Sequence, residues 1–208
     1  LIPEHAERIY VGKQSSNHSL PQEAIIDLMI QLAQSGRSLV RLKGGDPYIF
    51  GRGGEEAEEL AKAGIACDVV PGISAAQGAG AAVGIPLTHR DHAGMLVLAT
   101  GHLQGEGAER SVALDWEALA RPRQTVVIYM GIGTLPTICS KLVEHGLSPE
   151  TPAALVQDAT RARQRCVVGT VATLPALQVA HAVQSPALIV IGNTVSLQAC
   201  IGTIPALG

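Results

Sequence analysis

The chain has 208 residues and a formal net charge of −3, with 47% hydrophobic residues, 16% charged residues and 2% aromatics. That length builds one large domain or two small ones, and the core must be assembled from Ala, Val, Leu and Ile, as in an α/β protein. The charge excludes a broad basic surface for nucleic acid or anionic membranes, the few aromatics exclude a base-stacking protein, and no apolar run approaches the ~20 residues that cross a bilayer.

Short strand-like runs alternate with helical periodicity along the first part of the chain. Arg8 to Val11 is a short apolar run. Pro21 opens a helix in which Ile25, Leu28, Met29 and Leu32 recur at helical spacing, and Gly36 suits its C-terminal cap. Ser38 to Leu42 reads as a buried strand running into VRLKGGDPYIFGRGGEE, residues 40–56. Glu55 to Ala63 reads as a helix closed by Gly64, with acidic residues in the first turn where the helix dipole favours them. Cys67 to Val70 is the next expected strand. Ser74 and Gln77 then form an S-x-x-Q capping box before a small-residue helix that ends at Gly84 and Pro86. Such alternation implies a parallel sheet with helical crossovers.

IPLTHRDHAG, residues 85–94, lacks apolar periodicity and reads as a connection between two halves, placing domains at 1–92 and 93–208. Further strands are expected at 95–100, 125–129, 153–157, 165–170 and 187–191. The gap between 157 and 165 is too short for a parallel crossover, so that pair must be antiparallel and the C-terminal sheet mixed. Cys67, Cys139, Cys166 and Cys200 are widely spaced with no C-x-x-C pair, which is the usage of reduced thiols in a cytoplasmic protein. No signal peptide is visible.

Gly44 and Gly45 follow an expected strand directly, and ligands bind at the C-terminal ends of strands in open parallel sheets. Glycine there lets main chain approach a ligand with no Cβ in the way. Neither G-x-G-x-x-G nor G-x-x-x-x-G-K is present, and Asp46 would repel a phosphate while tolerating a positively charged ligand. VVPGISAAQGAG, residues 69–80, is a second strand running through Pro and Gly into a capped helix. Two tight turns and a shared crevice are both compatible with these stretches taken alone, and two neighbouring glycine ends favour the crevice.

RLKGGDPYIFGRGGEE, VVPGISAA, GIPLTHRDHA, TGHL at 100–103 and VIYMG at 127–131 together resemble the uroporphyrinogen-III C-methyltransferases of the tetrapyrrole methylase family, a module also carried by siroheme synthases. The resemblance runs in order along essentially the whole chain. It implies a two-domain α/β fold, a mostly parallel N-terminal sheet and a mixed C-terminal one, with the active site in the cleft between. It also implies S-adenosylmethionine as methyl donor, S-adenosylhomocysteine as product, and methylation of uroporphyrinogen III at C2 and C7 to precorrin-2, in siroheme or cobalamin biosynthesis. A homodimer in the cytoplasm is implied as well.

By motif match, Gly44, Gly45, Asp46, Ile49, Ser74, Ala75 and Met130 should contact the cofactor. The family threonine is Ser74 here, which keeps the hydroxyl, and a family glycine corresponds to Ala159. Lys13 in YVGK matches a lysine assigned to proton transfer or substrate positioning, although by itself it reads as a surface lysine. Arg52, between Gly51 and Gly53, suits the carboxylates of the acidic macrocycle as a catalytic or substrate-binding group. His89, Arg90 and His92 add positive potential for the same carboxylates. These histidines and His102 lack any metal-ligand spacing, so no metal is expected. The family's usual first strand, with its glycine-rich loop and an aspartate proposed as proton acceptor, does not occur in these 208 residues. The alternatives are a methylase of a later corrin precursor, or a nonenzymatic module binding the cofactor or a tetrapyrrole.

Overall fold

The computed structural model describes residues 2–12, 20–103 and 112–202. Two compact units divide the chain, Leu1–Gly72 and Ile73–Gly208. The first contains α1 (Gln22–Gln34) and α2 (Gly53–Lys62). Pro21 caps α1, and the chain leaves it through Gly36 at φ 80°. Ile25 and Met29 on α1 and Leu60 on α2 form a small core, joined by Val11, Ile30, Leu39 and Ile65. Of the four residues that periodicity places on this face, Ile25 and Met29 belong to the core, whereas Leu28 and Leu32 are half-buried and Ile26 is buried beside them.

Ser38–Leu42 and Cys67–Val70 lie outside any ladder among the described residues. This differs from the expected N-terminal parallel sheet. Both runs are rich in apolar residues, yet a strand exists only where its main chain is paired. Val40 and Val70 are 90% and 81% exposed.

The second unit opens with α3 (Ala75–Val83), whose capping box of Ser74 and Gln77 is formed and whose end is marked by Gly84 at φ 75°. There follow β1 (Met95–Thr100), α4 (Trp116–Leu119), β2 (Gln124–Tyr129), α5 (Leu135–Glu144), β3 (Pro152–Gln157), β4 (Arg165–Thr170), α6 (Leu174–Ala180), β5 (Ala187–Ile191) and α7 (Gln198–Ile201). The strands form one sheet in the order β1-β2-β5-β3-β4. Only β1 and β2 are parallel; β2 with β5, β5 with β3, and β3 with β4 are antiparallel. The mixed sheet and the antiparallel β3–β4 pair follow from the short connection at 158–164, as expected.

The sheet core contains Ile128, Leu135, Ile138, Leu142, Leu155, Leu174 and Ile189, all fully buried. No helix among the described residues is long and apolar enough to cross a membrane.

Candidate functional site

In the first unit, the segment after Leu42 folds back on itself around two acceptors. The Asp46 carboxylate receives N–H bonds from Tyr48 at 2.8 Å and from Gly72 at 3.0 Å. The first closes an Asx turn; the second pins the far glycine-rich stretch to the near one. A Cβ on Gly72 would collide with the Gly45 carbonyl oxygen, so that close approach requires glycine. Hydrogen bonds from the Gly72 and Tyr48 main chain hold the Asp46 pKa below the usual carboxylate range, and the group stays ionised at neutral pH.

The second acceptor is the Pro47 carbonyl. Gly53 donates to it at 2.9 Å, and a Cβ on Gly51 or Gly53 would meet it at 2.6 or 2.5 Å. Phe50 and Arg52 take left-handed conformations, φ 54° and 56°, at a cost of about 1–2 kcal/mol each. Arg52 therefore sits in a strained turn at the start of α2, where its guanidinium pairs with Glu55 at 2.6 Å. Gly44 is different: among the described residues, no atom lies within 4 Å of a Cβ built on it. Gly44 is exposed, and no contact with the described residues accounts for its missing side chain.

Glu56 was legible only as a first-turn acid favourable to the helix dipole. It is 3% exposed, on the same inner face of α2 as Gly53 and Leu60. It accepts from Gln22 Nε2 at 3.0 Å, Lys43 Nζ at 2.8 Å and Arg41 Nε at 3.3 Å. Burial pushes this carboxyl up, but the bonds from Lys43 and Gln22 and the charge of Arg41 outweigh burial and leave it below the usual range. A cavity of about 350 Å³ lies in this unit, walled by Val11, Leu20 and Ile25 and by Gln22, Arg41 and Arg52. Lys13 lies outside the described residues.

In the second unit, Ser74 is buried at the start of α3 and its amide donates to Gln77 Oε1 at 2.9 Å. Its hydroxyl is hydrogen-bonded to that of Tyr129, which also accepts the Ala76 N–H at 2.9 Å. Tyr129 thus ties the end of β2 to the first turn of α3. Nothing in the spacing of VIYMG distinguishes it from a strand residue packed in the core. The next residue, Met130, is left-handed at φ 54° and 54% exposed, so it is not the core-packing methionine that its type suggests. Ala75, at the first position of α3, is exposed.

Ala159 follows β3 between Asp158 and Thr160, both with positive φ (47° and 65°), while Ala159 itself is not among the positive-φ residues. Alanine therefore stands there without the strain that would call for glycine. Residues 89–93 close on themselves, with His89 N donating to Ala93 O and Ala93 N to His89 O, each at 2.9 Å. The His89 and His92 rings lie 4.9 Å apart, tilted by 53°. Arg90 is exposed, and its carbonyl accepts from Arg123 at 3.3 Å. His102 is exposed, and no group of three or more His, Cys, Asp or Glu among the described residues could hold a metal ion.

A mixed sheet flanked by helices, with glycine-rich loops that lack phosphate-binding spacing, places the protein in the α/β class. The family profile of Tetrapyrrole (Corrin/Porphyrin) Methylases matches residues 1–175, and the chain belongs to that family. It is 53% identical over 197 residues to a siroheme synthase of Chromobacterium violaceum, covering 95% of this chain and 41% of that protein. The siroheme synthase of Thiobacillus denitrificans is 51% identical over 193 residues, with 93% and 40% covered. The chain thus spans about two fifths of the length of the curated relatives it matches.

Among solved structures, a uroporphyrin-III C-methyltransferase of Thermus thermophilus superposes with a TM-score of 0.74 at 41% identity, over 91% of this chain and 80% of that one. The enzyme from the same organism complexed with S-adenyl homocysteine gives 0.73 at 34% identity, over 93% and 80%. A cobalt precorrin-4 methyltransferase gives 0.73 at 22% identity, over 87% and 73%, a likeness of fold.

Proposed function

We propose that the chain is an S-adenosylmethionine-dependent methyltransferase that converts uroporphyrinogen III to precorrin-2, for siroheme or cobalamin synthesis. Membership of the tetrapyrrole methylases and about 50% identity to siroheme synthases support the substrate class. The observation that carries the cofactor reading is Gly44: in a loop otherwise held by internal contacts, none of the described residues approaches the space its missing Cβ would fill. A carboxylate kept ionised at Asp46 fits a sulfonium better than a phosphate.

When bound, S-adenosylmethionine supplies an electrophilic methyl carbon. The protein's task is to hold donor and carbon nucleophile in line, which removes much of the barrier without any side-chain nucleophile. In this reading Gly44, Gly45, Asp46, Ile49, Ser74, Ala75, Met130 and Ala159 contact the cofactor. Arg52, His89, Arg90 and His92 bind the acidic macrocycle, and Lys13 takes part in proton transfer or positioning. We further assign the protein to a homodimer in the cytoplasm.

The test is Gly44→Leu in the full-length protein, measured by calorimetric titration with S-adenosylhomocysteine and by anaerobic turnover of uroporphyrinogen III. The variant should melt within a few degrees of the wild type and bind the nucleoside at least tenfold more weakly. Unchanged binding refutes the cofactor site. Binding by the wild type without methyl transfer to uroporphyrinogen III refutes the substrate.

A further inference from the structure

A carboxylate that is 3% exposed on the inner face of a surface helix calls for explanation, since acidic side chains are almost never buried unless paired. Glu56 occupies a position of α2 that periodicity reserves for an apolar residue, between Gly53 and Leu60. An apolar residue there would serve the small core of α1 and α2 at lower desolvation cost. What the carboxylate does, and an apolar side chain would not, is take hold of the chain that precedes the glycine loop.

Its two oxygens divide the work. Oε2 accepts from Lys43 Nζ at 2.8 Å, while Oε1 accepts from Arg41 Nε at 3.3 Å and from Gln22 Nε2 at 3.0 Å. The Lys43 side chain is only 11% exposed, so this ammonium is committed to Glu56 and not to solvent. Lys43 is bonded directly to Gly44, whose missing Cβ would meet no atom of the described residues within 4 Å. The run 38–43 has no ladder to fix it among the described residues, which leaves Glu56 as the anchor closest to the loop on its N-terminal side, as the Asp46–Gly72 bond is on the other.

We propose that Glu56 is a positioning residue for the cofactor: by clamping Lys43 and Arg41 it fixes the main chain of Gly44 and Gly45 in the form that S-adenosylmethionine meets. This rests on the assignment of that loop to the cofactor. A purely structural Glu56 would change stability alone, whereas a positioning Glu56 changes nucleoside affinity out of proportion to stability. Glu56→Gln keeps the shape and one acceptor oxygen but faces a donor toward a donor, so it releases part of the clamp without opening a cavity. Glu56→Asp retains the charge.

The experiment titrates S-adenosylhomocysteine into the full-length protein carrying E56Q, E56D, K43M, M29A or G44L, with melting temperatures measured alongside. E56Q and K43M should each raise Kd at least fivefold, and E56D should recover most of the loss. M29A, which removes a core side chain of the same unit, should lower the melting temperature while leaving Kd within twofold. If E56Q does not fold, K43M gives the same reading from the other partner. A Kd changed less than fivefold in E56Q and K43M overturns the proposal, as does M29A weakening binding as much as they do. If G44L leaves Kd unchanged, the loop is not the cofactor site and the inference falls with it; if G44L weakens binding and the clamp variants do not, only the inference falls.

Discussion

The Gly72 amide donates to the Asp46 carboxylate across 26 positions of sequence, at 3.0 Å, and with no room for a side chain on Gly72. One bond thereby joins the two glycine-rich stretches that the sequence sets apart, and it gives Asp46 an internal duty besides any toward a ligand. The carboxylate's charge is retained because both hydrogen bonds it accepts favour the ionised form.

Gly72→Ala should destabilise the first unit by about 1–3 kcal/mol, the usual cost of forcing a methyl group into a filled space. The Gly45 carbonyl it strikes is main chain, next to the residue whose carboxylate accepts the Gly72 N–H. Chemical denaturation monitors the loss, and S-adenosylhomocysteine affinity should fall with it. A variant as stable as the wild type would show that the approach is not tight.

Arg52→Gly sets two effects against each other. Relief of the left-handed conformation gains about 1–2 kcal/mol, while a more flexible unfolded chain costs roughly 0.5–1 kcal/mol and an exposed Arg52–Glu55 pair is worth no more than about 1. Stability should therefore stay within about 1 kcal/mol of the wild type. Turnover should fall, with the KM for uroporphyrinogen III raised. Loss of stability with unchanged KM would make Arg52 a structural residue.

Tyr129→Phe removes the acceptor of the Ala76 N–H and the partner of the Ser74 hydroxyl. Losing a buried partner costs about 1–3 kcal/mol. Since Ser74→Ala breaks the same pair, the double variant should lose less than the sum of the two single ones, with a coupling of about 0.5–3 kcal/mol. Strict additivity in equilibrium unfolding would show that the two hydroxyls act independently.

The four thiols should separate by location. Burial pushes Cys139 and Cys166 up to about 11, so at pH 8 almost none of either is thiolate, the reactive form; Cys67 and Cys200 are exposed. Alkylation at pH 8 followed by peptide mass mapping should label Cys67 and Cys200 and spare the other two until denaturant is added. Rapid native labelling of Cys139 or Cys166 would contradict the packing of the sheet core.

The sequence by itself determined the second unit in outline. The five strands there fall at 95–100, 124–129, 152–157, 165–170 and 187–191, because each is a contiguous apolar run bounded by turn residues and the 158–164 connection admits only an antiparallel return. It also determined which stretches are rich in glycine and which phosphate motifs are absent. Tertiary structure alone separated these glycines by their surroundings: Gly72, Gly51 and Gly53 yield to a carbonyl oxygen, whereas Gly44 yields to nothing among the described residues. The same holds for Glu56 and Tyr129, whose roles depend on hydrogen-bond partners 13 to 55 positions away, and for Ser38–Leu42 and Cys67–Val70, which have strand composition but join no ladder among the described residues. Periodicity reports which face a side chain takes, but a hydrogen-bond partner or a steric limit belongs to whatever the fold brings opposite it.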